Sequence, residues 1–378
     1  MCCPPYCAPP GPGLFPNYVP FQVGPVSPQF PGVNVPQVSV TVCSPQSASC
    51  QTIDHILVDT GSMGLRIFKQ ALSIALPTDR GQPLAECVSF GTGNAWGSVN
   101  VANVEMAGEP RVLVPIQVID PTYGTATLPA PCNANLLATP QSNSANGILG
   151  LAPVESDDPF TQYYTCQSGS CTSVTMPNGT TVQNPVYLLP QDSNGIFILL
   201  KSIPSAGVQS VSGSVILGIG TEPVNGGKAN NDPNFVSSGS PYVTYNGSSF
   251  EFFTTYKGLE YSSIVDSGTN MMVFQDESIT RCQALFIETD LYCPNPSPAA
   301  LSAIPKDMST GHVTYFSIAD ADVLGHSGNS AFNDLGSHTY LNWFVWGFPF
   351  FFGKSVFITY TRSQFGPAPQ WGYAILPP

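Results

Sequence analysis

Apolar positions along this chain come in short runs rich in Val, Ile, Phe, Tyr and Thr, each closed by a cluster of Gly, Pro, Asn or Ser. Runs of that length and alternation predict strands. An amphipathic helix needs apolar residues at every third or fourth position over several turns, and that periodicity is scarce here. Strands are predicted over Val38–Val42, His55–Val58, Gly97–Met106, Val112–Ile119 and Ser214–Leu217. Further strands are predicted over Tyr242–Tyr245, Phe250–Thr255, Tyr261–Val265 and Ser355–Tyr360. Helices are expected only at Ile67–Ala75, Asp276–Phe286 and Pro298–Ile304, so the fold class is all-β with a few short helices. A stretch full of Asn, Gly, Ser and Pro from Thr221 to Ser240 divides the chain. The implied organisation is a Pro-rich leader over 1–35, a first lobe over 36–228 and a second over 229–378.

Composition fits this picture and removes several function classes. The chain of 378 residues is 42% hydrophobic but only 9% charged, against a usual charged share of about 25%. It can bury a core, while 35 Gly and 38 Pro punctuate it with turns. With 11 basic and 24 acidic residues the net charge is −13, which repels phosphate backbones, so no nucleic-acid partner is expected. The longest apolar run, Trp343–Gly353, contains Gly347 and Pro349 and falls short of the roughly 20 residues of a membrane-spanning helix. No transmembrane segment is expected.

Of the eleven cysteines, Cys2, Cys3 and Cys7 lie in the leader and have no assigned role. Cys43 and Cys50, Cys166 and Cys171, and Cys282 and Cys293 are close in sequence across turn-forming residues, which favours local disulfides. Cys87 and Cys132 then pair by elimination. Low charge and paired spacing point to an oxidising compartment, hence to export to the periplasm, cell envelope or extracellular space. Residues 1–36 have no basic start followed by a continuous apolar core, so a secretory leader is expected to have been removed or truncated.

One motif occurs twice. His55-Ile-Leu-Val-Asp59-Thr60-Gly61-Ser62 places an acid directly after an apolar strand, followed by a hydroxyl residue, Gly and a second hydroxyl residue, and Ser263-Ile-Val-Asp266-Ser267-Gly268-Thr269 repeats it. The strand buries the approach, Gly allows a sharp turn, and the hydroxyls can hydrogen-bond a carboxylate. Two such loops meeting at a two-fold axis would hold two carboxylates side by side. Each motif is followed by an apolar-apolar-Gly segment, Asn146-Gly-Ile-Leu-Gly150-Leu-Ala152 in the first half and Phe344-Val-Trp-Gly347 in the second. Gly213-Ser-Val-Ile-Leu-Gly218 and the ending Trp371-Gly-Tyr-Ala374 complete the set.

Over residues 35 to 378 these segments resemble the pepsin-like aspartic peptidases, and in detail the uncharacterised pepsin-fold proteins of the bacterial envelope. The resemblance implies a bilobal double β-barrel and an acid endopeptidase acting as a monomer on peptide or protein substrates, with no metal or cofactor. In its mechanism Asp59 and Asp266 hold a water between them. One takes its proton as it attacks the scissile carbonyl, and the other protonates the carbonyl oxygen. Two carboxylates about 3 Å apart do not both ionise readily, an effect for which this enzyme class is the standard example. Thr60 and Ser267 would lock the loops together, Ser62 and Thr269 would bond the outer carboxylate oxygens, and Gly61 and Gly268 would form the turns.

The flap hairpin implied by the resemblance matches Phe90-Gly91-Thr92-Gly93, with Phe90 where Tyr is usual; Tyr123-Gly-Thr125 imitates it but lacks the following strands. The aromatic partner of that Tyr aligns with Arg66. On this reading Trp96 either replaces the lost aromatic surface or packs inside the lobe, and Phe90→Tyr with Arg66→Trp is expected to raise kcat/KM by about tenfold. No Lys or Arg precedes Arg66, so nothing in this chain can act as the basic activation plug of pepsin-like enzymes. The alternative function is a weak or inactive pepsin-fold binding protein that holds a peptide, glycan or protein partner. A paired-carboxylate glycosidase ranks third, since its acids stand about 5 Å or more apart. His55, His312, His326 and His338 show no metal-ligand spacing.

Overall fold

The computed structural model describes residues 17–25, 32–158, 160–177, 180–221, 242–245, 249–283, 290–307, 311–361 and 368–375. In chain order the strands begin with β1 (Tyr18–Val23), β2 (Pro36–Cys43), β3 (Cys50–Asp59), β4 (Met63–Phe68), β5 (Leu84–Phe90), β6 (Gly93–Glu105) and β7 (Val112–Ile119). They continue with β8 (Gly147–Leu151), β9 (Gln162–Gln167), β10 (Ser170–Val174), β11 (Gly195–Leu200), β12 (Val211–Leu217), β13 (Tyr242–Thr244), β14 (Phe252–Tyr256) and β15 (Leu259–Val265). The last are β16 (Met272–Phe274), β17 (Ala299–Lys306), β18 (Thr314–Ile318), β19 (Gly336–His338), β20 (Trp343–Trp346), β21 (Lys354–Thr359) and β22 (Gln370–Ile375). Among the described residues the single α-helix is α1 (Ala321–Gly325), started by the Asp320 carboxylate, which accepts from the amides of Asp322 and Val323. None is long and apolar enough to cross a membrane.

The chain is all-β, as expected, and forms two compact units: one from Gln37 to Pro190, the other joining the N-terminal segment up to Pro36 to Gln191–Pro378. In the first, β6, β7, β4, β8, β3 and β2 follow one another and β2 pairs back onto β6, closing a barrel. β4 and β8 are buried at every position, as strands covered on both faces must be; β8 accordingly reads as a continuous apolar run, whereas β4 buries Arg66 among its apolar residues. In the second unit, β19, β16, β20, β15, β14 and β17 repeat the order β7, β4, β8, β3, β2, β6. The directions repeat too. β3 is parallel to β8 as β15 is to β20, and β4 is parallel to β7 as β16 is to β19. β8 is antiparallel to β4 as β20 is to β16. The duplication visible in two short motifs therefore extends to six strands.

Several boundaries differ from expectation. The division falls at Pro190, before the Asn- and Ser-rich stretch, whose residues 222–240 lie outside those described. The cause is pairing: β11 and β12 bond each other, β11 bonds β21, and β12 bonds β1, so residues assigned to the first lobe are strands of the second unit. The segment 1–35 is likewise not wholly a leader, because Tyr18–Val23 pairs with β12 along its whole length; Cys2, Cys3 and Cys7 lie outside the described residues. Pro298–Ile304 is no helix. Its alanines favour one, yet β17 pairs with β18 on one side and β14 on the other, and tertiary pairing overrides propensity. Asp276–Gln283 turns instead of coiling because the Asp276 carboxylate accepts from the Ser278 amide (2.9 Å) and the Tyr256 hydroxyl (2.5 Å), and Cys282 is bonded to Cys293. Residues 284–286 of that expected helix are outside the description. Ile67 and Phe68 end β4, and only Lys69–Ala71 coil, as one 3-10 turn.

All four expected disulfides are present: Cys43–Cys50, Cys87–Cys132, Cys166–Cys171 and Cys282–Cys293. The first and third join directly opposed residues of antiparallel strand pairs.

One buried acid yields a stability prediction. Asp334 is fully buried, no other described residue hydrogen-bonds its carboxylate, and burial pushes its pKa up to about 6. A raised carboxyl favours the folded state while protonated, so its contribution is present in acid and is lost as pH rises through about 6. Asp334→Asn should therefore stabilise the protein by about 2–3 kcal/mol at pH 7.5 and change little at pH 4, as read by urea denaturation at both values. Equal effects at the two pH values would refute the assignment.

Candidate functional site

Each repeated motif builds the same carboxylate mount. In the Gln37–Pro190 unit, β3 carries the buried residues Ile56, Leu57 and Val58 up to Asp59, which is 6% exposed. Beside it runs β8, with Val58 opposite Leu149 and Asp59 opposite Gly150. The chain turns through Thr60, Gly61 and Ser62 and returns as β4 along the other edge of β8. Asp59 Oδ1 accepts from the Gly61 amide at 2.8 Å and Oδ2 from the Ser62 hydroxyl at 2.5 Å. The Ala152 amide donates to the Ser62 carbonyl (2.8 Å), which ties the loop to the end of β8.

The second unit repeats this bond for bond. Val265 at the end of β15 pairs with Trp346 of β20, and the Asp266 amide donates to the Trp346 carbonyl at 3.0 Å. Asp266, 9% exposed, accepts from the Gly268 amide at 2.8 Å through Oδ1 and from the Thr269 hydroxyl at 2.5 Å through Oδ2. The Phe348 amide closes the loop on the Thr269 carbonyl (2.7 Å). Thr60 and Ser267, the first hydroxyl residues of the two motifs, are both buried. Each carboxylate is thus fixed on one side by an amide and on the other by a hydroxyl.

The glycine after each apolar pair has a steric cause. A Cβ at Gly150 would lie 2.6–2.7 Å from the backbone of Met63, and one at Gly347 would lie 1.9 Å from the Met271 carbonyl oxygen. The return strand passes so close to the inserted strand that only a hydrogen fits. Left-handed backbone is needed just past the first loop, at Gly64 (φ 93°), where a Cβ would also meet Val182 at 2.4 Å.

Phe90-Gly91-Thr92-Gly93 forms the expected hairpin, β5 to β6, with Phe90 opposite Gly93 and Gly91 and Thr92 exposed at the tip. Cys87–Cys132 and the bond from the Asn94 amide to the Asn135 carbonyl (2.8 Å) fasten it to the loop at its flank. Tyr123-Gly124-Thr125 is a loop in which Gly124 packs against the Cys166–Cys171 disulfide. Trp96 is fully buried, donating to the Tyr123 carbonyl at 3.0 Å and lying against the Tyr164 ring, so it packs within its unit.

Arg66 is the unexpected residue. It is 1% exposed on β4, and its guanidinium binds Glu86 Oε1 (2.6 Å), Asp157 Oδ2 (2.8 Å) and the Met63 carbonyl. Glu86 and Asp157 are both fully buried. The Tyr163 hydroxyl donates to Asp157 Oδ1 at 2.7 Å, and the Gln117 amide side chain donates to the Glu86 carbonyl at 3.0 Å. Burial alone would lower the Arg66 pKa, but the charges of Glu86 and Asp157 outweigh it and hold it above its usual value. Burial, and then the charge of Glu86, raise the Asp157 carboxyl well above the ordinary range against the pull of Arg66. The guanidinium also lies over the Phe90 ring, 5.7 Å from its centroid. Exchanging Arg66 for Trp would thus strand two buried carboxyls, an outcome the alignment of motifs does not reveal. Glu86, Asp157 and Tyr163 were not singled out from sequence; the only trace is an acid at Glu86 inside an otherwise apolar run.

The chain belongs to the family described as Protein of unknown function (DUF3443), whose family model matches residues 14–373. Comparison with curated proteins gives no match.

If the inserted glycines hold the mounts in place, Gly150→Ala or Gly347→Ala should destabilise the fold by about 3 kcal/mol or more, because the obstruction is backbone. Gly91→Ala at the hairpin tip, where nothing lies within 4 Å, should be neutral. Urea midpoints compare the three, and a neutral Gly150→Ala would contradict the steric account.

Proposed function

We propose that this protein is an exported acid endopeptidase in which Asp59 and Asp266 together activate a water against a peptide carbonyl. The observation that carries the reading is the duplicated mount, in which each aspartate follows a buried strand and receives one amide and one hydroxyl bond at matching distances. Gly61, Ser62, Gly268 and Thr269 orient the carboxylates, leaving them to exchange protons with the water and the substrate. The reading requires the two carboxyls to share one proton. Four disulfides and the sequence resemblance to pepsin-like peptidases support export and the reaction class. Phe90–Gly93 serves as the substrate-covering hairpin, and peptides or unfolded proteins are the substrates.

A second reading, a cleft that binds a peptide, glycan or protein partner without cutting it, draws on Phe90 and the buried Arg66, which stand where a peptidase of this type carries an aromatic pair.

Purified protein should cleave denatured protein substrate between about pH 3 and 5 and lose activity toward neutrality as the shared proton leaves. A statine-type inhibitor should block it, and Asp59→Asn or Asp266→Asn should reduce the rate by at least about a thousandfold. A broad peptide library left untouched across pH 3 to 7, with ligand binding unchanged by either substitution, would favour the binding reading.

A further inference from the structure

The buried cluster around Arg66 joins elements that are far apart in sequence. Arg66 lies on the strand returning from the Asp59 loop, and Glu86 lies on β5, the first strand of the Phe90–Gly93 hairpin. Asp157 belongs to the loop after β8, and Tyr163, on β9, pairs directly with Glu86. β7 contributes Gln117, and the Val182 amide donates to the Tyr163 hydroxyl at 2.8 Å. Among the described residues, the charged and titratable groups hydrogen-bonded within the cluster are Arg66, Glu86, Asp157 and Tyr163. Phe90 is gripped between the Arg66 guanidinium and the apolar group of Phe68, Val88, Ala95, Ile119 and Leu137.

Charge counting sets a condition on this cluster. One guanidinium faces two carboxylates, so the fully ionised cluster carries one net negative charge with Arg66, Glu86 and Asp157 at 1% exposure or less. An uncompensated buried charge costs several kcal/mol. One proton on Asp157, the carboxyl that burial and the charge of Glu86 push up, removes it.

We propose that Arg66, Glu86, Asp157 and Tyr163 form a proton-dependent tether that positions the Phe90–Gly93 hairpin against the return strand of the Asp59 loop: closed when Asp157 carries a proton, loosened when it ionises. Arg66 is a positioning residue in this scheme, acting through Phe90 and through Glu86 at the root of the hairpin. The tether does not depend on peptide cleavage and holds equally if the protein only binds its ligand. In either case the hairpin is best ordered in acid.

Amide hydrogen exchange on the full chain tests this directly. After correction for intrinsic rates, protection of Val88 to Ala95 should fall about tenfold or more between pH 5 and pH 8, while Ile56 to Val58 of β3 keep theirs. In Asp157→Asn, which retains a hydrogen-bonding side chain of the same shape but cannot ionise, hairpin protection should stay at the acid level at both pH values. Arg66→Met should lose it at both. Hairpin protection that is independent of pH in the wild type, or that falls alike in wild type and Asp157→Asn, would overturn the proposal. Because Asp157→Asn leaves Arg66 and Glu86 paired, the test survives if Arg66→Met does not fold.

Discussion

The structure depends on a strand crossing that leaves no room for a side chain. In each unit a strand is inserted between the strand that leads to the aspartate and the strand that leaves it, and a Cβ at Gly150 or Gly347 would fall only 1.9–2.7 Å from the neighbouring backbone. That crossing fixes where the loop turns, which decides that the amide two residues on and the hydroxyl three residues on both reach the carboxylate. A larger residue at either glycine would displace the loop and with it the carboxylate geometry. The duplicated strand order around the crossing is the frame that makes the same mount twice.

Sparse charge gives the few buried ionic groups unusual weight. Lys, Arg, Asp and Glu supply only 9% of residues, yet Arg66, Glu86, Asp157 and Asp334 are almost completely buried. A buried charge is tolerated when paired and is otherwise neutralised by taking up a proton. Asp334 and Asp157 are both raised by burial, so in acid the interior carries less uncompensated charge than at neutral pH. This direction agrees with a protein proposed to work in acid and with an organisation in which the hairpin is fastened by an ionic cluster instead of an aromatic pair.

Legibility from sequence followed the range of the interaction. The carboxylate mounts at Asp59 and Asp266 could be read because each motif packs the aspartate, its turn and its hydrogen-bond donors into four consecutive residues. The disulfides were legible for the same reason in three cases, and Cys87–Cys132 followed once the others were paired. Pro298–Ile304 was not, because its alanines state a helical preference that two neighbouring strands overrule. α1 spans five residues, too few to show a helical period, and only its Asp320 cap marks it. The Arg66 cluster was least legible: its arginine and one of its acids are 91 residues apart, and an acid inside an apolar strand gives no sign of what it faces. The unit boundary was misplaced because turn-rich composition marks a loop but does not say which sheet the strands before it join.

The most direct measurement is a crystal structure of the protein with a statine-type inhibitor bound. The account predicts the hydroxyl of the inhibitor in hydrogen-bond contact with both Asp59 and Asp266, their nearest carboxylate oxygens about 3 Å apart. Carboxylates separated by more than about 5 Å, or an inhibitor seated away from both, would contradict a shared-proton site.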